Sequence, residues 1–538
     1  MKIKQKVLLT LMAAAVVLLS CASQRKTNTM TDAKQDPRWV QVDSLTGIGQ
    51  YASAITATEA ILTDASAKDD WRTEFRAWMY RSRLQGYTGI DPKVVIAHLD
   101  SAASTSEAPL KQLLHSVLAE QWWSYYQNQR WHVLDRTNMA EASEDPDTWD
   151  QATFMQKVIG EYAASLEPAE ALETIPVGEL GSLLEYDKAD TTLRPTLFDL
   201  LVHRALSVFS NSETRLTEPA WRFQLNESRY FSPAPKFAAM ELSHRDSTSW
   251  HFQTLRLYQR LTTLHLPDVA HDALTDLTLD RLTFVRANST LPDKDSIYLH
   301  ALTTLATELP NGEPNAAVMI AVAEWHAEQA VKYQRLDPTH TWKWEKKTAA
   351  DIYRKLMSDA PGPFAVKHAT ALLAQLEQPS MQVQTEEAVT PDAPFRLAVS
   401  YTNMKQLWLR IVKDDGDRTG RGRYRDQDEL QRLLHLPVLR EWTVQLPDDG
   451  DLNEHLTELP VEPLGLGGYS IIVMDSPKPT DAATVVVTSA QVTRLAVAQR
   501  QLPGRGAAIV VMDRESGVPI KDAKAELFMQ EYQRNGWQ

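Results

Sequence analysis

The chain has 538 residues, well beyond one ordinary hydrophobic core, so several domains are expected. Hydrophobic residues make up 43% and charged residues 23%, the balance of a folded soluble chain rather than a disordered or fibrous one. A formal net charge of −14 argues against nucleic acid as the main partner, and a single cysteine excludes a disulfide framework.

Residues 1–20 read as a lipoprotein signal peptide. Lys2, Lys4 and Lys6 form a charged start, and the apolar run 7–19 is too short for a settled transmembrane span. Leu18-Leu-Ser-Cys21 matches a bacterial lipobox, with Leu three positions before the cysteine and a small residue just before it. Cys21 is therefore the candidate lipidation site: cleavage and acylation there give the two or more chains that firm membrane anchoring needs. Ala22 follows where an Asp would signal retention, which by the enterobacterial sorting rule points to the outer membrane. An ordinary signal peptide with a chance cysteine is the alternative. Residues 21–36 are polar, with Ser23, Gln24, Thr27, Asn28 and Thr29, and read as a flexible tether.

From 37 to 378 the apolar period is helical. Leu110, Leu113, Leu114, Val117, Leu118 and Trp122 follow the i, i+3, i+4, i+7 rule closely, and Trp71, Phe75, Trp78 and Met79 form another stripe. Asp91-Pro92 places an N-cap before a proline at the first helical position, and Pro195 marks another helix start. Antiparallel pairs with short polar turns predict an irregular α-solenoid. Its last pair, 348–356 and 363–376, has the look of a tetratricopeptide hairpin, whereas earlier pairs lack a fixed period. The Pro- and aromatic-rich segment 221–237 reads as a long loop or wrapped insertion, and 379–393, with Pro379, Glu386, Glu387 and Pro391, as a linker.

Beyond Pro394 the period changes to two. Phe395-Arg-Leu-Ala-Val-Ser-Tyr401 and Leu407-Trp-Leu-Arg-Ile-Val412 alternate apolar and polar residues. With Glu441-Trp-Thr-Val-Gln-Leu446 and Gly468-Tyr-Ser-Ile-Ile-Val-Met474 they predict a small β-sandwich over 394–476. A second β unit over 482–538 is expected from 484–488, 491–497, 507–512 and 524–528, with a turn at 513–519. It has too few strands to close a sheet, so a partial chain is expected. The predicted fold class is multidomain: all-α repeats, then all-β modules, the last one truncated.

No stretch reads as a catalytic centre, and no cofactor or metal is implied. Glu324-Trp-His-Ala-Glu328 lacks the i, i+4 histidines of a zinc helix and reads as a solvated face. His115, His203, His300 and His368 lie in separate helical runs without ligand spacing. Asp414-Asp-Gly-Asp417 resembles a calcium loop in composition only and reads as an acidic hairpin tip. Thr419-Gly-Arg-Gly-Arg-Tyr-Arg425 is a local basic loop. Gly465-Leu-Gly-Gly468 precedes a strand, not a helix N-terminus, and so is no phosphate loop. Trp71, Trp78, Trp122 and Trp123 read as packing anchors before they read as a sugar groove.

Three runs carry a family resemblance. Ser516-Gly-Val-Pro-Ile-Lys-Asp-Ala-Lys-Ala-Glu-Leu527 resembles a macroglobulin-module signature, Gly467-Gly-Tyr-Ser-Ile-Ile-Val473 a strand closing an earlier module, and 395–411 the opening of the first module. Residues 194–204 are similar to the same group. Together they resemble bacterial alpha-2-macroglobulin-like lipoproteins with a helical N-terminal region. The resemblance implies a non-enzymatic endopeptidase inhibitor of the cell envelope, with target proteases, the membrane and another envelope protein as partners. The bait and thioester regions of such proteins have no counterpart here, since the one cysteine is Cys21. Two other classes stay open: a glycan-binding, starch-utilisation-type helical lipoprotein, and a protein-docking scaffold.

Overall fold

The computed structural model describes residues 36–134, 136, 143–183, 188–210, 223–246, 249–414, 427–478, 484–502, 506–524, 532–533 and 536–537. The expected signal peptide and all of the expected tether but Asp36 lie outside the described residues, as do the basic loop 419–425 and most of the expected strand 524–528. A helical region comes first and β-sheets follow. Contacts divide the chain into two compact units, 1–318 and 319–538.

The first unit carries α1 (Pro37–Gly47), α2 (Tyr51–Ser66), α3 (Trp71–Tyr87), α4 (Pro92–Thr105), α5 (Leu110–Leu134), α6 (Gln151–Ala164), α7 (Ala169–Glu173), α8 (Lys188–Leu193), α9 (Leu197–Phe209), α10 (Ala234–Ala238), α11 (Trp250–His265), α12 (Asp272–Asn288) and α13 (Lys294–Glu308). Packing runs largely between chain neighbours: α1 on α2, α2 on α3, α4 on α5, α5 on α6, and later α11 on α12. The apolar stripe of α5 meets α4 and α6 in one core, where Leu99, Leu114, Leu118, Phe154, Met155 and Val158 are fully buried. Each such side chain contributes about 1.5–3 kcal/mol. Helix starts follow local chemistry. Asp91 accepts from the amide of Lys93 at 2.9 Å with Pro92 at the first turn. The start expected at Pro195 falls two residues later, at Leu197: Thr196 caps the helix in a reciprocal capping box with Asp199, and a proline outside the helix cannot compete with that pair of bonds.

The described part of the expected long loop, 223–237, is irregular but held. A 3-10 turn (Ser228–Phe231) and α10 fold over Arg281, which is 1% exposed. Its guanidinium donates to the carbonyls of Tyr230 at 2.6 Å and Ser232 at 2.8 Å and lies 4.2 Å from the ring centroid of Phe237. Burial pulls its pKa down to about 9, the mark of a cation balanced by carbonyls and an aromatic face rather than by a carboxylate.

In the second unit, α14 (Glu313–Ala330), in which the division falls, is followed by α15 (Glu345–Asp359) and α16 (Pro363–Glu377), which pack as a hairpin. The strands are β1 (Ser380–Thr385), β2 (Ala388–Val389), β3 (Phe395–Thr402), β4 (Gln406–Lys413), β5 (Val438–Gln445), β6 (His455–Val461), β7 (Gly467–Met474), β8 (Val485–Val492), β9 (Leu495–Leu502), β10 (Gly506–Asp513), β11 (Tyr532–Gln533) and β12 (Gly536–Trp537), with α17 (Gln427–His435) between β4 and β5. A three-stranded sheet, β1-β3-β6, and a five-stranded sheet, β2-β8-β7-β4-β5, share one core. Leu397, Val399 and Leu459 enter it from the first sheet, and Leu407, Leu409, Ile411, Ile471 and Val473 from the second. The opposite face of the second sheet is covered as well: Val412, Ile472 and Met474 pack with Leu433 of α17.

Two expected boundaries are corrected. The linker 379–393 is instead largely strand: Met381 pairs with Tyr401, Val383 with Val399, and β2 runs parallel to the end of β8. Its polar residues alternate with Met381 and Val383, which one buried face suffices to order. The first β body also does not end at 476. β8, expected to open the second unit, pairs along its whole length with β7, from Val485 opposite Met474 to Val492 opposite Gly467. The expected strand 491–497 is the end of β8 and the start of β9, divided at Thr493 and Arg494. What remains of the second unit is the β9–β10 hairpin, the small β11–β12 pair and the 513–519 turn, where Gly517 takes φ +70°.

This register gives a testable consequence. A chain ended after Ser476 leaves the full edge of β7 unpaired and is expected to self-associate, whereas one ended after Thr493 stays monodisperse in size-exclusion chromatography.

Candidate functional site

A connected polar cluster of the second unit lies where the α14–α15 connection meets the β5–β6 loop. Asp451 has no exposed surface. Its Oδ1 accepts from the amide of Asn453 at 2.9 Å and faces His455 Nε2 at 2.9 Å. Lys343 reaches in from the helical side: its Nζ lies 2.6 Å from Asp449 Oδ2 and 4.0 Å from Asp451 Oδ2. Asn453 Nδ2 donates to the carbonyl of Lys343 at 2.7 Å. Tyr401 stacks on His455, with centroids 5.6 Å apart, and donates to the carbonyl of Pro447 at 2.7 Å. Burial raises the pKa of Asp451, but the bonds from Asn453 and His455 outweigh it and leave the carboxyl below the ordinary range. Asp449 holds the Lys343 ammonium above its usual value. The arrangement can clamp a loop by charge; among the described residues it brings no nucleophile to a base.

A second cluster sits in the first unit. His265, at the end of α11, faces Asp199 Oδ1 through Nε2 at 2.7 Å and Asp268 Oδ2 through Nδ1 at 2.7 Å. Both partners are carboxylates, so only the doubly protonated imidazolium donates to both. Burial works against that charge, but the bonds to Asp199 and then Asp268 prevail and raise the pKa of His265. Asp199, 1% exposed, is lowered: desolvation opposes, while His265 and Thr196 favour the anion. Nearby, burial brings His203 down to about 4, and desolvation with the Asp276 carboxylate pushes Asp280 up to about 6.

The sequence-derived candidates disperse. Cys21 lies outside the described residues. His115 faces Glu161 at 2.7 Å, His326 faces Glu345, and His300 and His368 are exposed. Among the described residues no group of three or more His, Cys, Asp or Glu can hold a metal ion, and no helix is long and apolar enough to cross a membrane. Asp414, expected at an acidic tip, is instead an anchor, 3.1 Å from Arg432 of α17 and accepting from Ser470 at 3.0 Å; residues 415–417 lie outside the described set. Gly467 and Gly468 open β7. Trp122 is buried and stacked on Trp149 at 4.9 Å, and Trp71, Trp78 and Trp123 pack against the same core. Neither cluster was anticipated from spacing, because Asp199 and His265 are 66 positions apart and Lys343 and Asn453 are 110 apart. A local signal existed for one of them, since Thr196-x-x-Asp199 is a capping-box pattern.

No protein-family model matches the chain. A search of curated proteins finds no match either.

Replacing Asp451 by Ala is expected to lower stability by about 3 kcal/mol, since it strips the partner from His455 and leaves Lys343 with Asp449 alone. Lys405→Ala, which removes a side chain 84% exposed and 3.8 Å from Asp448, is expected to change the chemical-denaturation midpoint little, by about 0.5 kcal/mol or less. His265→Ala is expected to cost about 3–5 kcal/mol near pH 6, because Asp199 keeps its burial and loses its cation. The raised pKa of His265 means that its contribution is complete below its unfolded value and fades as pH rises through the folded one. The lowered pKa of Asp199 means that its share fades as pH falls through its own. The difference between parent and variant therefore peaks between those two values, as a pH series of denaturation curves would read.

Proposed function

We propose that the chain is the amino-terminal part of an envelope-anchored, alpha-2-macroglobulin-like endopeptidase inhibitor, held to the outer membrane through a lipidated Cys21 and performing no catalysis of its own. The helical repeats form an irregular solenoid that spaces or docks the molecule, and the two sheets over one core are a macroglobulin-type sandwich. One observation carries the reading. The runs that resemble macroglobulin modules become strands of a single two-sheet body: 395–411 supplies β3 and the start of β4, and 467–473 is the central strand β7. The third run supplies a formed turn, where Val518 and Asp513 share a backbone bond of 2.9 Å and Ile520 donates to Val511. The partners on this reading are incoming proteases, the membrane and an envelope protein; no nucleic acid and no cofactor are called for. The placement of Trp122 inside a core speaks against a sugar groove built on it, since a stacked and buried indole offers no face to a ring.

Two experiments test this. In the native host, Cys21→Ser is expected to abolish incorporation of labelled palmitate and to release the protein from the membrane fraction; unchanged labelling would refute the anchor. The product of the whole reading frame that contains this chain is expected to suppress protease action on a large protein substrate while a small chromogenic peptide is still cleaved. Full cleavage of both, or Trp-dependent binding on a glycan array, would overturn the inhibitor assignment.

A further inference from the structure

The connection from α14 to α15, residues 331–344, is a strap of turns with no helix or strand of its own. Its backbone is left-handed at two positions that are not glycine: His340 takes φ +49° and Trp342 φ +68°. The loop it meets is left-handed as well, with Leu452 at φ +61° between Asp451 and Asn453. That conformation crowds the Cβ of an L-residue against the following carbonyl, and a residue as bulky as tryptophan is an outlier there. Such backbone persists only where the surrounding contacts hold it, and it gathers at clamps and switches.

The contacts that seat this strap converge on one residue. Lys343, next to Trp342, places its Nζ 2.6 Å from Asp449 Oδ2, and its carbonyl accepts from Asn453 Nδ2 at 2.7 Å. Arg335 adds a long bond of 3.5 Å to the carbonyl of Leu456 in β6. Val331, Leu336 and Trp344 of the strap are exposed. The seat is also incompletely satisfied. Asp451 has no exposed surface, yet its Oδ2 has no hydrogen-bond partner among the described residues. The Lys343 ammonium stands 4.0 Å from it and bonds instead to the half-exposed Asp449. Left-handed backbone on both sides of the contact, with an unpaired buried oxygen between them, marks a docked state that one ammonium keeps from relaxing.

We propose that Lys343 is a latch and that 331–344 is a strap held under strain. With the ammonium on Asp449 the strap lies on the β5–β6 loop; with the ammonium withdrawn it lifts, while α14, α15 and the sheets stay folded. Val331, at the start of the strap, and Lys346, just past its end, both line a groove of about 850 Å³ among α14, α15 and α16, so lifting the strap moves one wall of that groove. The device does not depend on the inhibitor assignment. Hydrogen exchange of the purified chain, read peptide by peptide, tests it. Lys343→Met keeps the aliphatic stem; it is expected to speed exchange in 331–344 and 447–455 about tenfold or more and to leave α14, α15 and β3 at the parent rate. Asp449→Asn, at a half-exposed carboxylate, is expected to act in the same direction more weakly. Strain is read separately at the exposed His340: His340→Gly is expected to slow exchange of the strap several-fold, and the β-branched His340→Val to speed it. Raising sodium chloride from about 0.05 M to about 0.5 M is expected to speed the strap in the parent and not in Lys343→Met. Unchanged strap exchange in Lys343→Met, an equal rise across α14, α15 and β3, or no difference between the two His340 variants would overturn the proposal.

Discussion

The second unit depends on the burial of β7 from both sides. A strand with one wet face alternates, but Tyr469 to Met474 are all buried: Ile471 and Val473 point into the core shared by the two sheets, while Ile472 and Met474 meet α17. Everything else is arranged to keep that strand dry. β4 and β8 satisfy its backbone on both edges, and α17 roofs the outer face, held by Arg432 on Asp414. Because Asp414 also takes the Ser470 hydroxyl from β7, strand, loop and roof are tied at one carboxylate. A partly buried carboxylate of this kind stabilises only while its partners remain, which makes it a poor place for substitution.

Charge is used in the same way elsewhere. Asp451 fixes the turn that receives Lys343, and Asp199 both caps α9 and holds the end of α11 through His265. In each case one carboxylate serves a local duty, bonding backbone amides close in sequence, and a distant one, meeting a cation from another element. Arg281 inverts the pattern, with a buried cation organising carbonyls of a segment that has little regular structure of its own. Such clusters look like active sites in their depth and shifted pKa values, but their groups are engaged mainly with one another, although Asp451 Oδ2 and Arg281 Nε find no hydrogen-bond partner among the described residues.

Much was legible in the sequence. The change of apolar period seen beyond Pro394 reports the passage from helices to strands, because 3.6 and 2 are the periods at which each backbone presents one face, although the first strand begins earlier, at Ser380. Asp91-Pro92 and the α5 stripe set a helix start and a buried face from neighbouring residues alone. The strands β3, β4, β5 and β7 were visible because each carries its own apolar pattern. The roof α17 was missed: its apolar residues Leu430, Leu433 and Leu434 occupy barely two turns beside a charged loop. β6 was missed because Pro460 and three polar residues dilute its alternation.

By itself, then, the sequence determined what each backbone segment prefers and which face it must bury, since those preferences arise among residues within a few positions of one another. The tertiary structure alone decided partnership. It decided that β8 belongs with β7, that 380–389 are strand rather than linker, and that Asp199 meets His265 and Lys343 meets Asp449. Those choices depend on which distant edges and charges are brought together when the shared core closes, and spacing along the chain does not encode that.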